Sequence, residues 1–314
     1  YELIDSAVRA GGDIIKLQLF TTEKRIGEFV KELKYNEKAQ DTEENIQDML
    51  STSELNTFQI KKAINYIIAS GKEAMCSGFS VEDFQYLKSI KIRNIKVASM
   101  DFNNIKVHKF LSQLGSEYNI FLSTGMCSIE EIKSVLKIYS KSKSKLILMH
   151  CTSSYPLPYE DVNLLVLSRF RELFRNKNLE IGYSDHTVDN RVSIASLHYG
   201  VSYIEKHFTL NKSMRGPDHY QSMVESELRE LIRELEINSI IRGSGRKFLQ
   251  GSEFEAWRTQ KKSLFASKKI NSGDELNLSN VNLNSPPISL DPLALIDEDK
   301  CYSSKDLESG DPIL

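Results

Sequence analysis

The sequence predicts an α/β protein, a (β/α)8 TIM barrel followed by a small β-rich module. From residue 72 to about 238, short apolar strands alternate with amphipathic helices, the pattern of a parallel sheet covered by crossover helices. No strand is followed by the G-x-G-x-x-G turn of a doubly wound dinucleotide domain. The alternation stops at Gly243-Ser244-Gly245, and residues 263–314 keep only short apolar stretches between turn signals such as Asn271-Ser272-Gly273-Asp274 and Ser285-Pro286-Pro287.

Taken in order, residues 1–10 place Leu3, Ile4, Ala7 and Val8 on one helical face, which Gly11-Gly12 closes. A strand follows over 13–20. The Lys- and Glu-rich stretch from Thr21 to about Ser53 has weak periodicity and reads as a surface loop before a helix over 54–70. The alternation then predicts strands over 72–77, 94–99, 119–123, 145–151, 180–184 and 202–208. Helices are expected over 81–90, 104–114, 129–139, 160–174, 190–199 and 225–238. That makes seven strands; the chain opens part-way into a helix at Tyr1, so the strand that would complete eight is expected before it. The expected domains are a barrel over 1–242, a linker over 243–260 and a β-rich module over 261–314.

Composition narrows the function classes. A chain of 314 residues has room for about two domains at roughly 150 residues each. Charged residues at 27% and hydrophobic residues at 40% are ordinary for a globular protein and disfavour disordered or fibrous architectures. With 41 Lys and Arg against 43 Asp and Glu, the net charge is −2, so no global basic field favours nucleic acid or an anionic membrane. No apolar run reaches the ~20 residues needed to span a bilayer. Cys76, Cys127, Cys151 and Cys301 form no C-x-x-C pair, which reads as reduced thiols in a cytoplasmic protein.

Barrel enzymes carry their chemistry at the C-terminal strand ends, and polar residues crowd there. Lys16 and Lys96 interrupt apolar strand runs, with Ser99 ending the same strand as Lys96 and Ser77 and Ser123 on its neighbours. Converging ammonium and hydroxyl donors suit a phosphate or carboxylate. One such lysine reads best as reaching outward past a helix; two, with the serines, favour the anion pocket. His186 and His207 close consecutive strands, are flanked by Asp185 and Glu205, and precede Gly216-Pro217-Asp218-His219. Two imidazoles without thiolates suit an open, exchangeable divalent ion better than a structural zinc. His150 is expected in the core, His108 and His198 carry no assigned role, and Cys151, lacking an evident thiolate-stabilising base, is read as packing.

Several strings, in order along nearly the whole chain, resemble the sialic acid synthase family. They include Lys16-Leu17-Gln18, Lys96-Val97-Ala98-Ser99, Leu122-Ser123-Thr124-Gly125-Met126, His150 through Pro156, Tyr183-Ser184-Asp185-His186-Thr187 and Ile204-Glu205-Lys206-His207. The tail from Lys261 through Asp274 is similar to that family's SAF, or antifreeze-like, domain. The resemblance implies condensation of phosphoenolpyruvate with an N-acetylated amino sugar, N-acetylmannosamine or a diacetamido hexose, plus water, giving a nonulosonic acid and phosphate. It implies that Lys16, Ser77, Lys96, Ser99, Ser123 and Ser184 hold phosphoenolpyruvate. His186 and His207 would ligate Mn²⁺ or Mg²⁺, and Gln18, Asp101, Ser153, Tyr155, Glu205 and Asp218 would orient the sugar or move protons. It further implies a homodimer whose small domains are swapped over the partner's barrel mouth.

This chain departs from the family's pattern at two strings. Thr-Pro-Phe-Asp reads Ser77-Gly78-Phe79-Ser80, and Arg-Pro-Gly reads Ser285-Pro286-Pro287, without the arginine. Two other readings stand beside the synthase. A metal-dependent barrel aldolase or hydrolase would leave the two lysines without a joint purpose, and a non-enzymatic sugar-binding relative would leave the histidine and lysine pairs unused.

Overall fold

A computed structural model describes residues 1–25, 34–37, 42–174, 178–214, 216, 218–296 and 300–314, with backbone alone at 34–37, 42–46 and 49. The chain divides into two units, Tyr1–Gly243 and Ser244–Leu314.

The first unit opens with α1 (Glu2–Ala10), capped by Gly11 at φ 100. That left-handed conformation lets the Gly11 and Gly12 amides reach the Val8 and Ala7 carbonyls, and glycine adopts it without steric cost. β1 (Ile14–Leu19) and α2 (Thr22–Arg25) follow. β2 (Lys34–Glu37) and β3 (Thr42–Asn45) pair antiparallel, and α3 (Ile46–Ser53) comes next. The stretch read as one surface loop therefore contains short elements. Four-residue strands and helices of one or two turns are too short to impose a clear apolar period.

The remaining order is α4 (Thr57–Ala69), β4 (Glu73–Gly78), α5 (Val81–Ser89), β5 (Asn94–Val97), α6 (Ile105–Leu111), β6 (Asn119–Ser123) and α7 (Ile129–Ile138). It ends with β7 (Lys145–His150), α8 (Leu165–Leu173), β8 (Leu179–Asp185), α9 (Arg191–His198), β9 (Tyr203–Lys206) and α10 (Glu225–Arg242). Side chains set several helix starts: Asn56 and Gln59 cap α4 reciprocally, as Ser128 and Glu131 cap α7. The helix expected from residue 160 instead begins at Leu165, after a short 3-10 turn over Tyr159–Asp161. Asn163 sits at φ 48, a left-handed conformation that a right-handed helix cannot contain.

β1, β4, β5, β6, β7, β8 and β9 form one parallel sheet in that order. In a flat sheet the outer strands would lie about 29 Å apart, at ~4.8 Å per step. Instead Lys16 Nζ on β1 is 2.8 Å from Glu205 Oε1 on β9. The sheet is therefore curled into a TIM-barrel-like wall whose ends meet through side chains. Met75, Phe121, Ile147 and Met149 fill its interior as a small apolar cluster. The larger core, including Ile60, Phe84, Ile95, Leu122, Leu148 and Phe170, lies between strands and helices.

The second unit holds α11 (Phe254–Gln260), within the expected linker, and β10 (Ser263–Ala266) paired antiparallel with β11 (Val281–Asn284). Its own core is small, built on Leu264, Ile270, Leu276, Leu307 and Ile313.

Candidate active site

Strand register assembles the site. Ser77 pairs with Gln18 on one side and Lys96 on the other, while Ser184 pairs with Glu205. Alternation along each strand sends these side chains to the same face. Glu205 Oε1 is the meeting point: it accepts from Lys16 Nζ at 2.8 Å, from Ser184 Oγ at 3.0 Å, and from Lys96 Nζ. Three donors from β1, β8 and β5 thus converge on one carboxylate oxygen.

Burial alone would raise the Glu205 carboxyl, but the charges of Lys16 and Lys96 override it and hold the group well below its ordinary range. Burial pulls the Lys96 ammonium down to about 8, against the opposing attraction of Glu205. Two lysines set against one carboxylate give the cluster a formal charge of one positive unit.

Ser123 ends β6 with its Oγ buried and, among the described residues, without a hydrogen-bond partner. A buried hydroxyl left unpaired is unfavourable and marks a place where a ligand can complete the bonding. Ser99 Oγ lies 3.1 Å from Cys151 Sγ and accepts from the Gly125 amide at 3.1 Å. A side-chain carbon on Gly125 would stand 2.7 Å from Ser99 Oγ and 2.9 Å from Cys151 Sγ, and would collide with Ser153 Oγ. Glycine is what lets those three side chains share one corner.

The histidine pair is placed by a different contact. Asp185 and Lys206 are register partners joined by a buried ion pair of 3.2 Å, and Lys206 Nζ also donates to the Thr187 carbonyl at 2.6 Å. This pin sets the following or adjoining residues, His186 and His207, with ring centroids 5.4 Å apart. Of the two acidic residues that flank the histidines in sequence, Glu205 acts on both imidazoles through its charge, while the hydrogen bonds of both acids lead elsewhere. Asp185 bonds Lys206, Thr187 and Ser193, and the recorded hydrogen bonds of Glu205 go to the two lysines and Ser184.

His186 Nδ1 lies 2.8 Å from the Thr152 carbonyl. A carbonyl only accepts, so Nδ1 carries the proton and Nε2 keeps its lone pair. Burial lowers both imidazoles, His207 to about 3 with Lys16 and His186 adding to the effect. They are neutral, the form that binds metal. Among the described residues no group of three or more His, Cys, Asp or Glu is arranged to hold a metal ion. Two neutral imidazoles, one with its tautomer fixed by a carbonyl, fit an exchangeable divalent ion whose other positions are filled by substrate or water.

Tyr155 lays its ring against His186, centroids 4.3 Å apart, and edges toward His207 at 5.7 Å. Asp218 Oδ2 is 3.6 Å from His207 Nδ1, and Oδ1 accepts from Gln221 at 2.9 Å. Burial raises the carboxyls of both Asp218 and Asp101.

The structure thus gathers Lys16, Lys96, Ser184 and Glu205 in one cluster, and His186, His207, Tyr155 and Asp218 in a second. Ser99 and Ser153 share the corner at Gly125. Gln18 is exposed above Lys16, and Asp101 has its recorded hydrogen bond with Asn104; no recorded hydrogen bond joins either to the two clusters. Sequence reasoning passed over Arg25, whose guanidinium carbon lies 4.9 Å from the Phe20 ring centroid and 4.5 Å from that of Phe79. Its signal was position: it follows β1 at the strand end where barrel sites form.

Comparison with known proteins bears on this geometry. The profile of the NeuB family matches residues 3–247. An N,N'-diacetyllegionaminic acid synthase from Campylobacter jejuni is 31% identical over 91% of this chain and 85% of its own. An enzyme of the same name from Legionella pneumophila is 28% identical over 100% of this chain and 88% of its own. Among solved structures, an N-acetylneuraminic acid synthetase from Leptospira borgpetersenii superposes with a TM-score of 0.71 at 28% identity, covering 81% of this chain and 83% of that one.

Proposed function

Because this chain belongs to the NeuB family, a family of phosphoenolpyruvate-dependent condensing synthases, we propose that it joins phosphoenolpyruvate to an unphosphorylated, N-acylated amino sugar and releases phosphate and a nonulosonic acid. The observation that carries this reading is the convergence of Lys16, Lys96 and Ser184 on one carboxylate oxygen. That point of the barrel interior already accommodates an oxyanion, supplied here by Glu205.

In this reading Lys16 and Lys96 hold an anionic group of phosphoenolpyruvate, and Ser123 completes its bonding by donating its otherwise unpaired hydroxyl. Ser77, Ser99 and Ser184 contribute further hydroxyls around it. Gln18, Asp101, Ser153, Tyr155 and Asp218 orient the acceptor sugar in this reading; Asp218, whose carboxyl burial raises, moves protons, and Glu205 stays a carboxylate that holds the two lysines together. The enol carbon attacks the open-chain aldehyde, water adds to the adjacent carbon, and phosphate leaves by C–O cleavage. His186 and His207 would hold a divalent ion, Mn²⁺ or Mg²⁺, which would supply Lewis-acid polarisation of the aldehyde.

Similarity to two diacetyllegionaminic acid synthases favours a diacetamido hexose over N-acetylmannosamine as acceptor. Residues 261–314, within the unit Ser244–Leu314, are assigned as the SAF-type module, and two chains pair as a domain-swapped homodimer.

The test is phosphate release with phosphoenolpyruvate, Mn²⁺ and a panel of N-acetylated hexosamines, with and without EDTA. Sugar-dependent, EDTA-sensitive release supports the synthase and names its acceptor. Release that ignores the sugar overturns it.

A further inference from the structure

We propose that Arg25 is a sugar-binding, specificity-determining residue of this site, donating its guanidinium hydrogens to an acceptor oxygen of the unphosphorylated amino sugar. The inference rests on the synthase reading and adds to it a residue outside the strings of family resemblance.

The guanidinium is held in place before any ligand arrives. It stacks over Phe20 and Phe79, which are both buried and meet edge-to-face at 5.8 Å. Such a double aromatic contact fixes the plane of an arginine while leaving its N–H edge free to donate. Its backbone is anchored through the start of α2, where the Thr22 amide and hydroxyl both donate to Glu54 at 2.9 Å. Among the described residues the guanidinium makes one hydrogen bond, a weak one from Nη2 to Met100 Sδ at 3.5 Å.

Among the described residues Arg25 forms no salt bridge, although Asp101, Tyr155 and Asp218 lie within electrostatic range. A partly buried arginine held between two rings, with no carboxylate of the described residues on its fork, has donor capacity left over. The neighbourhood decides what it takes. Asp101 and Asp218 offer acceptors for sugar hydroxyls beside the guanidinium donors, a combination that matches a neutral polyol bearing an acyl amide. The same two carboxylates disfavour a phosphate ester at that place.

The experiment compares the wild-type chain with Arg25→Ala and Arg25→Lys, using the best acceptor of the hexosamine panel and measuring KM for each substrate together with direct calorimetric binding of the sugar. Arg25→Ala is expected to raise KM and the Kd of the sugar roughly 10- to 100-fold, the loss of one charge-assisted hydrogen bond. KM for phosphoenolpyruvate should stay within about twofold, which also establishes that the variant is folded. Arg25→Lys should fall between, since it keeps charge and loses the planar fork. An unchanged sugar KM in an active Arg25→Ala variant overturns the assignment and leaves the synthase standing. A wild type that neither binds nor turns over any sugar overturns the synthase reading, and this inference with it. A wild type that turns over only 6-phosphorylated sugars, with the Arg25→Ala loss confined to them, replaces the neutral-sugar assignment by a phosphate contact.

Discussion

Lys16 and Lys96, on strands β1 and β5, are held together by a shared contact with Glu205 Oε1. Two ammonium groups this close would repel each other, and Glu205 neutralises part of that repulsion while leaving a net positive charge for an incoming anion. Lys96→Ala leaves Glu205 with one ammonium. It should raise KM for phosphoenolpyruvate roughly 10- to 100-fold, the cost of losing one hydrogen bond to a charged group. The sugar KM should move far less. Steady-state kinetics with each substrate varied in turn checks this, and an unaltered phosphoenolpyruvate KM would remove Lys96 from the anion site.

The imidazole of His207 carries a pH signature. Its folded pKa is depressed to about 3 from an ordinary 6.5, so between those values the unfolded chain binds a proton that the folded one does not. Stability is then fully present above pH 6.5 and is lost as pH falls through the window, at about 1.4 kcal/mol per pH unit for one such proton. His186 shifts in the same direction and adds to the slope. Urea unfolding in EDTA between pH 4 and 6.5 should show this acid slope, and His207→Gln should reduce it by one proton's worth. A variant with the wild-type slope would place the effect elsewhere.

Gly125 admits Ser99, Cys151 and Ser153 to one corner. Gly125→Ala should therefore destabilise by about 1–3 kcal/mol through overpacking and lower phosphoenolpyruvate affinity by displacing Ser99. Adding Ser99→Ala gives the new methyl room, so the double variant should recover part of the lost stability but not the affinity. Thermal melts of the two single variants and the double variant measure that coupling. Strict additivity would mean that the two residues do not share the space.

The elements legible in the sequence were those where packing imposes a pattern. Strands such as Asn119–Ser123, buried by neighbours, read as short apolar runs, and helices such as Ile129–Ile138 carry both a period and a capping serine. Lys16 and Lys96 were conspicuous as charges inside such runs, and the structure brings both to one oxygen. Other features had no pattern to read. Asn163 ends a helical period through a backbone angle that its side chain does not announce. Asp185 looked like a neighbour of the histidines because it precedes one, yet strand alternation turns it to the other face, onto Lys206. Arg25 lies where the chain has no periodicity, and only the converging rings of Phe20 and Phe79, from two strand ends, single it out.

Ser123 separates stability from function. Its hydroxyl is buried and has no hydrogen-bond partner among the described residues, so in the free protein it contributes desolvation cost without a compensating bond. Replacing it with alanine removes that cost and leaves a methyl-sized group in an otherwise well-packed strand end. Ser123→Ala should therefore leave stability unchanged or raise it by about 0.5–1 kcal/mol, while KM for phosphoenolpyruvate rises roughly tenfold with the loss of a donor to the bound anion. Chemical unfolding and kinetics on the same preparation read both effects. A variant that is less stable would show that the hydroxyl is already satisfied in the free protein. One with unchanged KM would show that the anion does not use it. Either result would take Ser123 out of the phosphoenolpyruvate site and leave Lys16 and Lys96 to hold it with the remaining serines.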